Sequence, residues 1–163
     1  IVWGDHGWHL GEQRVWGKHT LMEASLCSTL IIKAPHLCKA VKNRRIVSSI
    51  DIYPTLMDLC GISVPNGLDG HSLVKLLNDP KESSWQEAAY SYFNNGITVR
   101  TPKYRLTRYW HERKYVSELY NYHVDKLEKK NIFDTERKSV VKKLMGIWEK
   151  GCTWDLACDS IRR

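Results

Sequence analysis

Four short stretches between residues 88 and 122 limit what this chain can fold into: "AAYSYF", "GITVR", "KYRLTRYW" and "YVSELYNY". Each is rich in aromatic and β-branched side chains, and polar turns such as "NNG" and "TP" separate them. Such residues suit the pleated, half-buried surface of a sheet, and short runs joined by tight turns pair antiparallel. About four antiparallel strands are expected. "TERKSVVKKLMGIWEKG" follows, with Val140, Val141, Leu144, Ile147 and Trp148 on the inward face of an amphipathic helix that Gly151 ends.

The first half has a different texture. Ile1, Val2 and Trp3 are apolar and β-prone, the expected tail of a buried strand, and Gly4 opens a loop that runs to about Lys18. In an open α/β sheet such a loop is where function sits. Residues 20–27 have helical composition. "TLIIKAP" at 29–35 reads as a buried strand stopped by Pro35, and a polar, basic loop runs on to Arg45. "VSSIDIYPTLMDLCGI" is expected to be a helix with Asp51 as N-cap. Pro54 falls in its first turn, where the missing N–H costs no hydrogen bond. Leu56, Met57 and Cys60 share a face, and Gly61 supplies the stop. "VPNGLDG" is turn-rich, and "HSLVKLL" is a short helix that "NDP" ends. The expected class is α/β: residues 1–80 as the end of an α/β domain, then residues 81–163 as a small antiparallel sheet with a C-terminal helix.

The 163 residues suffice for one domain, or for two small ones sharing a core. Twenty-five basic against 18 acidic residues give a net charge of +7, which favours anionic partners. The basic residues are dispersed, the densest runs being "KNRR" and "KLEKK", and no basic helix or RNA-binding strand signature occurs. Nucleic acid is therefore not the expected partner. Five cysteines stand without CxxC spacing. Cys60 is expected in the core, and Cys152 and Cys158 are close enough in sequence for a small-loop disulfide in an oxidising compartment. No apolar run is long enough to span a membrane. There is no signal peptide, and the chain opens on Ile1 inside a strand, so it reads as a cut through a larger protein.

Residues 4–19, "GDHGWHLGEQRVWGKH", carry the densest chemistry. Asp5 and His6 are adjacent just past a strand and can converge on one cation. An Asp oxygen suits Ca²⁺ or Mg²⁺, while an imidazole leans towards Zn²⁺ or another transition metal. Two ligands do not complete a site. His9 and His19 are also at hand, though His6-x-x-His9 in a glycine-broken loop is a weak zinc signature. Lys18 is a mobile point charge suited to a phosphate or sulfate oxygen. Singly, an Asp-His pair after a strand is ordinarily a turn, Trp8 and Trp16 are ordinarily core, and a lysine is ordinarily surface. Only the combination points to a site.

That combination resembles the sulfatase family's second metal segment, S-D-(H/N)-G-x-x-L-G-E-H-G-x-W-x-K, and the Asp5-to-Lys18 spacing fits it. Trp8, Leu10, Gly11, Glu12 and Trp16 look most like the iduronate-2-sulfatase branch and its bacterial relatives. Further along, "VSSIDIYPTLMDLCGISVPNGLDGHSLVKLLNDP", "VRTPKYRLTRYW" and "ELYNYHVDKLEKKNI" resemble later family segments in the same order, so the likeness reaches to about residue 150. It implies an alkaline-phosphatase-like, sulfatase α/β domain. By position it implies that Asp5 and His6 are ligands of the active-site divalent cation, usually Ca²⁺. Lys18 would contact the sulfate and stabilise charge as the S–O bond breaks. Trp8 and His19 would lie near the sugar of a sulfated carbohydrate. The family's periplasmic, extracellular or lysosomal settings are implied too.

Several family features are missing. The C-x-(P/A)-x-R motif, whose Cys or Ser becomes formylglycine, is absent, as is the early Asp-Asp metal pair. Gln13 and Arg14 replace the usual His-Gly. Cys27 and Thr29 replace an Arg and a Pro, and Asp125 is followed by Lys126 rather than Pro. The expected identity is the C-terminal portion of a sulfatase, with the nucleophile in a missing N-terminal half and no turnover by the fragment itself. A degenerate, non-catalytic fragment or binding module is one alternative. A phosphoester or phosphonate hydrolase of the same superfamily is another.

Overall fold

The computed structural model describes residues 1–35 and 40–151. Cys38, Cys152 and Cys158 lie outside them, and so does the expected Cys152–Cys158 pairing. Two compact units are present. One comprises Ile1–Asp5 with Thr29–Glu87, and the other comprises His6–Ser28 with the residues from Ala88 onward.

In the first unit, β1 (Val2–Trp3) pairs antiparallel with β4 (Leu30–Ile31), Val2 opposite Ile31. The expected burial of these strands is not found. Val2 is 63 % and Ile31 58 % exposed, because a two-stranded ribbon cannot bury its own faces. A 3₁₀ turn at Ser49–Asp51 leads into α2 (Ile52–Leu59), and α3 (Val74–Asn78) follows.

Asp51 stands at the N-cap of α2 as expected, but its side chain makes no cap bond there and closes the preceding 3₁₀ turn instead. The Ser48 N–H donates to Asp51 Oδ2 (2.7 Å), so Ser48 and Asp51 form the two ends of a capping box. Gly61 ends α2 as expected, at φ +67°, with its N–H on the Asp58 carbonyl and the Ile62 N–H on the Met57 carbonyl. That is the paired closure of a Schellman turn, which needs a left-handed residue at this point.

The expected apolar face of α2 is also corrected. Leu56 and Cys60 are exposed, and the buried side is Asp51, Pro54 and Thr55. This polar side faces backbone rather than side chains. Asp51 Oδ1 accepts the His71 N–H (2.8 Å), and Thr55 Oγ1 accepts the Leu73 N–H (2.9 Å) while donating to the Asp51 carbonyl. Replacing Thr55 by Val keeps the shape but strands the Leu73 N–H. Urea unfolding is expected to show a loss of about 1–3 kcal/mol.

In the second unit the four strands and the C-terminal helix lie where the sequence reading places them. Strands β5 (Ala89–Phe93), β6 (Gly96–Arg100), β7 (Tyr104–His111) and β8 (Lys114–Asn121) form one antiparallel sheet in the order β5-β6-β7-β8. Thr98 faces Thr107, Val99 faces Leu106, and Leu106 faces Leu119. α4 (Lys138–Gly151) packs Leu144 and Trp148 onto Ile97, Val99, Leu106 and Leu119. Val140, Val141 and Ile147 flank this core, as the helical spacing requires. The Trp148 indole N–H donates to the Ile97 carbonyl (3.0 Å), so the large ring is buried without an orphan donor.

The opposite face of the sheet is polar and also buried. Thr98, Arg105 and Thr107 are each at most 1 % exposed. α1 (Glu23–Leu26) supplies the carboxylate of Glu23 to this face. Among the described residues no helix is long and apolar enough to cross a membrane.

Candidate functional site

Residues 6–28 were expected to begin as open loop. They contain a small hairpin instead: β2 (His9–Leu10) pairs antiparallel with β3 (Trp16–Gly17) across a 3₁₀ turn at Glu12–Arg14. Glu12 holds the turn by accepting the Leu10 N–H at 2.6 Å, and that bond keeps its carboxyl below the usual range. Two-residue strands are too short to leave a periodic signal.

The hairpin is pinned from below by His9, which is fully buried. Ser25 Oγ donates to backbone carbonyls at Thr20 or Met22, so it accepts from Thr20 Oγ1 (2.8 Å). Thr20 in turn accepts from His9 Nε2 (2.8 Å), which fixes His9 as the Nε2–H tautomer. Its Nδ1 has no partner among the described residues. His9 is thus a structural post.

Gly7 sets the position of His6. Its N–H donates to the Ser25 carbonyl (2.8 Å), and a Cβ there would collide with the carbonyl oxygens of Ala24 and Cys27. Gly7 is therefore required for close backbone approach. Its own carbonyl lies 2.7 Å from His6 Nδ1. A carbonyl only accepts, so Nδ1 carries the proton and Nε2 presents its lone pair. That lone pair lies 2.8 Å from Lys18 Nζ.

The sequence-predicted residues are placed as follows. His6 and Lys18 meet directly. Trp8 is 55 % exposed and stands beside His6, with ring centroids 6.1 Å apart and tilted 35°. His19 is exposed and packs its ring near Phe93 (5.8 Å). It borders a cleft of about 340 Å³ that Gln13, Phe93, Asn94 and Tyr109 also line. Asp5 is exposed, belongs to the first unit, and precedes His6 directly in the chain. Among the described residues no three His, Cys, Asp or Glu side chains converge as a metal site. Asp5 and His6 supply an oxygen and an imidazole donor. The Nδ1–H···O=C bond of His6 is the orientation that metal-ligating histidines use.

Sequence reasoning missed the group that ties this hairpin region to the sheet. Arg105, 1 % exposed, sends Nε to Glu128 Oε1 (2.7 Å) and Nη2 to Glu23 Oε2. Glu128, also buried, accepts the Glu23 N–H (2.7 Å) and the Tyr122 hydroxyl. Arg100 adds an ion pair to Glu23 (3.2 Å) and stacks its guanidinium 3.6 Å from the Tyr122 ring centre. Burial opposes the Arg105 charge, but Tyr122, Glu128 and Glu23 outweigh it and hold its pKa above the ordinary value. Burial first, with the two carboxylates, pushes Tyr122 upward against the opposing charge of Arg105, so its hydroxyl stays a donor. The network spans residues 23 to 128, which no local pattern links.

Residues 11–150 match the family described as N-sulphoglucosamine sulphohydrolase, C-terminal. A sulfatase of Formosa agariphila is 31 % identical over 109 residues, covering 67 % of this chain and 22 % of that protein. An N-acetylglucosamine-6-O-sulfatase of Bacteroides thetaiotaomicron is 28 % identical over 163 residues, covering 92 % of this chain and 29 % of that protein. Among solved structures, one determined in complex with its substrate D-glucosamine-2-N,6-O-disulfate superposes with a TM-score of 0.77. It is 28 % identical and covers 91 % of this chain and 33 % of its own. The chain thus spans about a third or less of each, and the shared architecture is the sulfatase, alkaline-phosphatase-like fold.

Proposed function

Because the chain belongs to the N-sulphoglucosamine sulphohydrolase C-terminal family, we propose that it supplies one wall of the catalytic site of a sulfuric ester hydrolase. The observation that carries this reading is the His6–Lys18 pair. A glycine-fixed carbonyl sets the imidazole tautomer, and an ammonium sits at the imidazole's Nε2. By resemblance Asp5 and His6 would each be a ligand of a divalent cation, Ca²⁺; the cation would take the His6 Nε2 lone pair in place of the Lys18 ammonium, leaving that ammonium for the substrate, and would polarise the sulfate oxygens. Lys18 binds a sulfate oxygen and offsets the charge that grows as the S–O bond breaks. Trp8 and the cleft beside His19 receive the sugar ring of a sulfated carbohydrate, with Phe93 as an apolar wall and Asn94 as an amide partner for hydroxyls. The Trp8, Leu10, Gly11, Glu12 and Trp16 spacing supports a place near the iduronate-2-sulfatase branch.

The nucleophile, a formylglycine, belongs to sequence outside these 163 residues, which lack the C-x-(P/A)-x-R motif. The test compares the full-length gene product with the purified 163-residue chain on 4-nitrophenyl sulfate and on a phenylphosphonate monoester. The full-length protein is expected to prefer the sulfate ester, and the 163-residue chain to hydrolyse neither. Turnover by the 163-residue chain would overturn the assignment of the nucleophile. Preference for the phosphonate would replace the sulfatase by a phosphonate hydrolase.

A further inference from the structure

A strongly basic cleft lies in the first unit, and nothing in the catalytic reading uses it. Lys42, Asn43, Arg44 and Arg45 face Pro80 and Lys81 across a concave cleft of about 420 Å³. The cleft is built rather than incidental. Arg45 pins the two segments together, with Nη1 on Glu87 Oε1 (2.5 Å) and Nη2 on the Glu82 carbonyl. Trp85 adds a bond from its indole N–H to the Ile46 carbonyl (2.9 Å). The Arg45 Nε is buried and has no partner among the described residues.

The charge balance at the cleft is strongly one-sided. Glu87 answers Arg45, while Lys42, Arg44 and Lys81 are exposed with no carboxylate against them among the described residues. The nearby acids are occupied by backbone. Asp79 Oδ1 accepts the Lys81 N–H (2.9 Å), and Glu82 Oε1 accepts the Ser84 N–H (2.8 Å). Three uncompensated cations around a concavity focus a positive potential. Among the described residues the lining holds no aromatic ring, so they offer no platform for stacking bases, whereas the Asn43 amide can meet hydroxyl groups.

We infer that this cleft is an exosite for a sulfated polysaccharide, binding anionic groups of the chain away from the residue being hydrolysed. The choice of polysaccharide rests on the sulfatase reading above. The cleft's affinity for anions does not.

The test titrates the 163-residue chain with a heparin octasaccharide, with its desulfated counterpart, and with a DNA duplex of equal charge, over a range of NaCl. The variant K42Q/R44Q/K81Q is expected to bind heparin at least about 10-fold more weakly at 0.15 M salt. Its slope of log K against log[salt] is expected to fall by about 2–3, one step for each lost ion contact. A charge-matched control, K126Q/K129Q/K130Q, removes three exposed lysines elsewhere and is expected to keep most of the affinity. Equal losses in the triple variant and the charge-matched control would overturn the exosite, as would duplex DNA binding as tightly as heparin.

Discussion

Replacing Arg105 by Ala is expected to lower the unfolding free energy by about 3–5 kcal/mol, the cost of breaking a buried ion pair from one side. The physical reason is what stays behind. Glu128 is 4 % exposed and would lose the guanidinium that faces its Oε1 at 2.7 Å. Glu23 would keep the longer ion pair from Arg100 (3.2 Å) and a long contact from the Tyr122 hydroxyl (3.5 Å). Urea unfolding followed by tryptophan fluorescence measures the loss. The double variant R105M/E128Q removes both charges and is expected to be more stable than R105M alone. If R105A unfolds at the wild-type urea concentration, the network does not hold residues 6–28 against the sheet.

That network also shows where sequence reading stops. The four strands and α4 were legible because alternation and helical spacing survive in the order of residues, and the turns between strands carry their own chemistry. Leu106 and Leu119 announce the face toward α4. The other face carries Thr98, Arg105 and Thr107, residue types that ordinarily meet water, yet it is buried. Alternation shows that Arg105 and Thr107 share a face. It does not show that Glu23 and Glu128 come to meet them. The same limit misled the reading of α2, whose buried side is Asp51, Pro54 and Thr55 because the opposing surface is backbone N–H groups at residues 71 and 73.

The candidate site was legible in a different way. His6 and Lys18 were linked through the resemblance of residues 4–19 to a family segment, and no periodicity connects them. The structure adds the atoms that matter: the Gly7 carbonyl on Nδ1 and the ammonium at Nε2. Phe93 and Asn94, beside His19, were read only as strand and turn. Their place in the cleft follows from the sheet, which brings the β5–β6 turn to the hairpin segment. His9 looked like a spare ligand, and its burial on Thr20 removes it from that role.

Lys18 carries the central functional claim. Its ammonium is the cation seated at His6 Nε2, exposed enough to meet a sulfate oxygen. A group that stabilises charge mainly in the transition state acts on kcat, whereas one that merely attracts the substrate acts on KM. Removing one such preorganised donor typically costs about 10²–10³-fold in kcat. Arginine at this position keeps the charge but not the compact point geometry, so K18R is expected to recover only part of the loss.

The most direct measurement is steady-state hydrolysis of 4-nitrophenyl sulfate by the full-length gene product and its K18A variant, with kcat and KM resolved separately. A drop in kcat of about 10²–10³-fold is the predicted result. An unchanged kcat in K18A would contradict the assignment of residues 4–19 as the sulfate wall of the site.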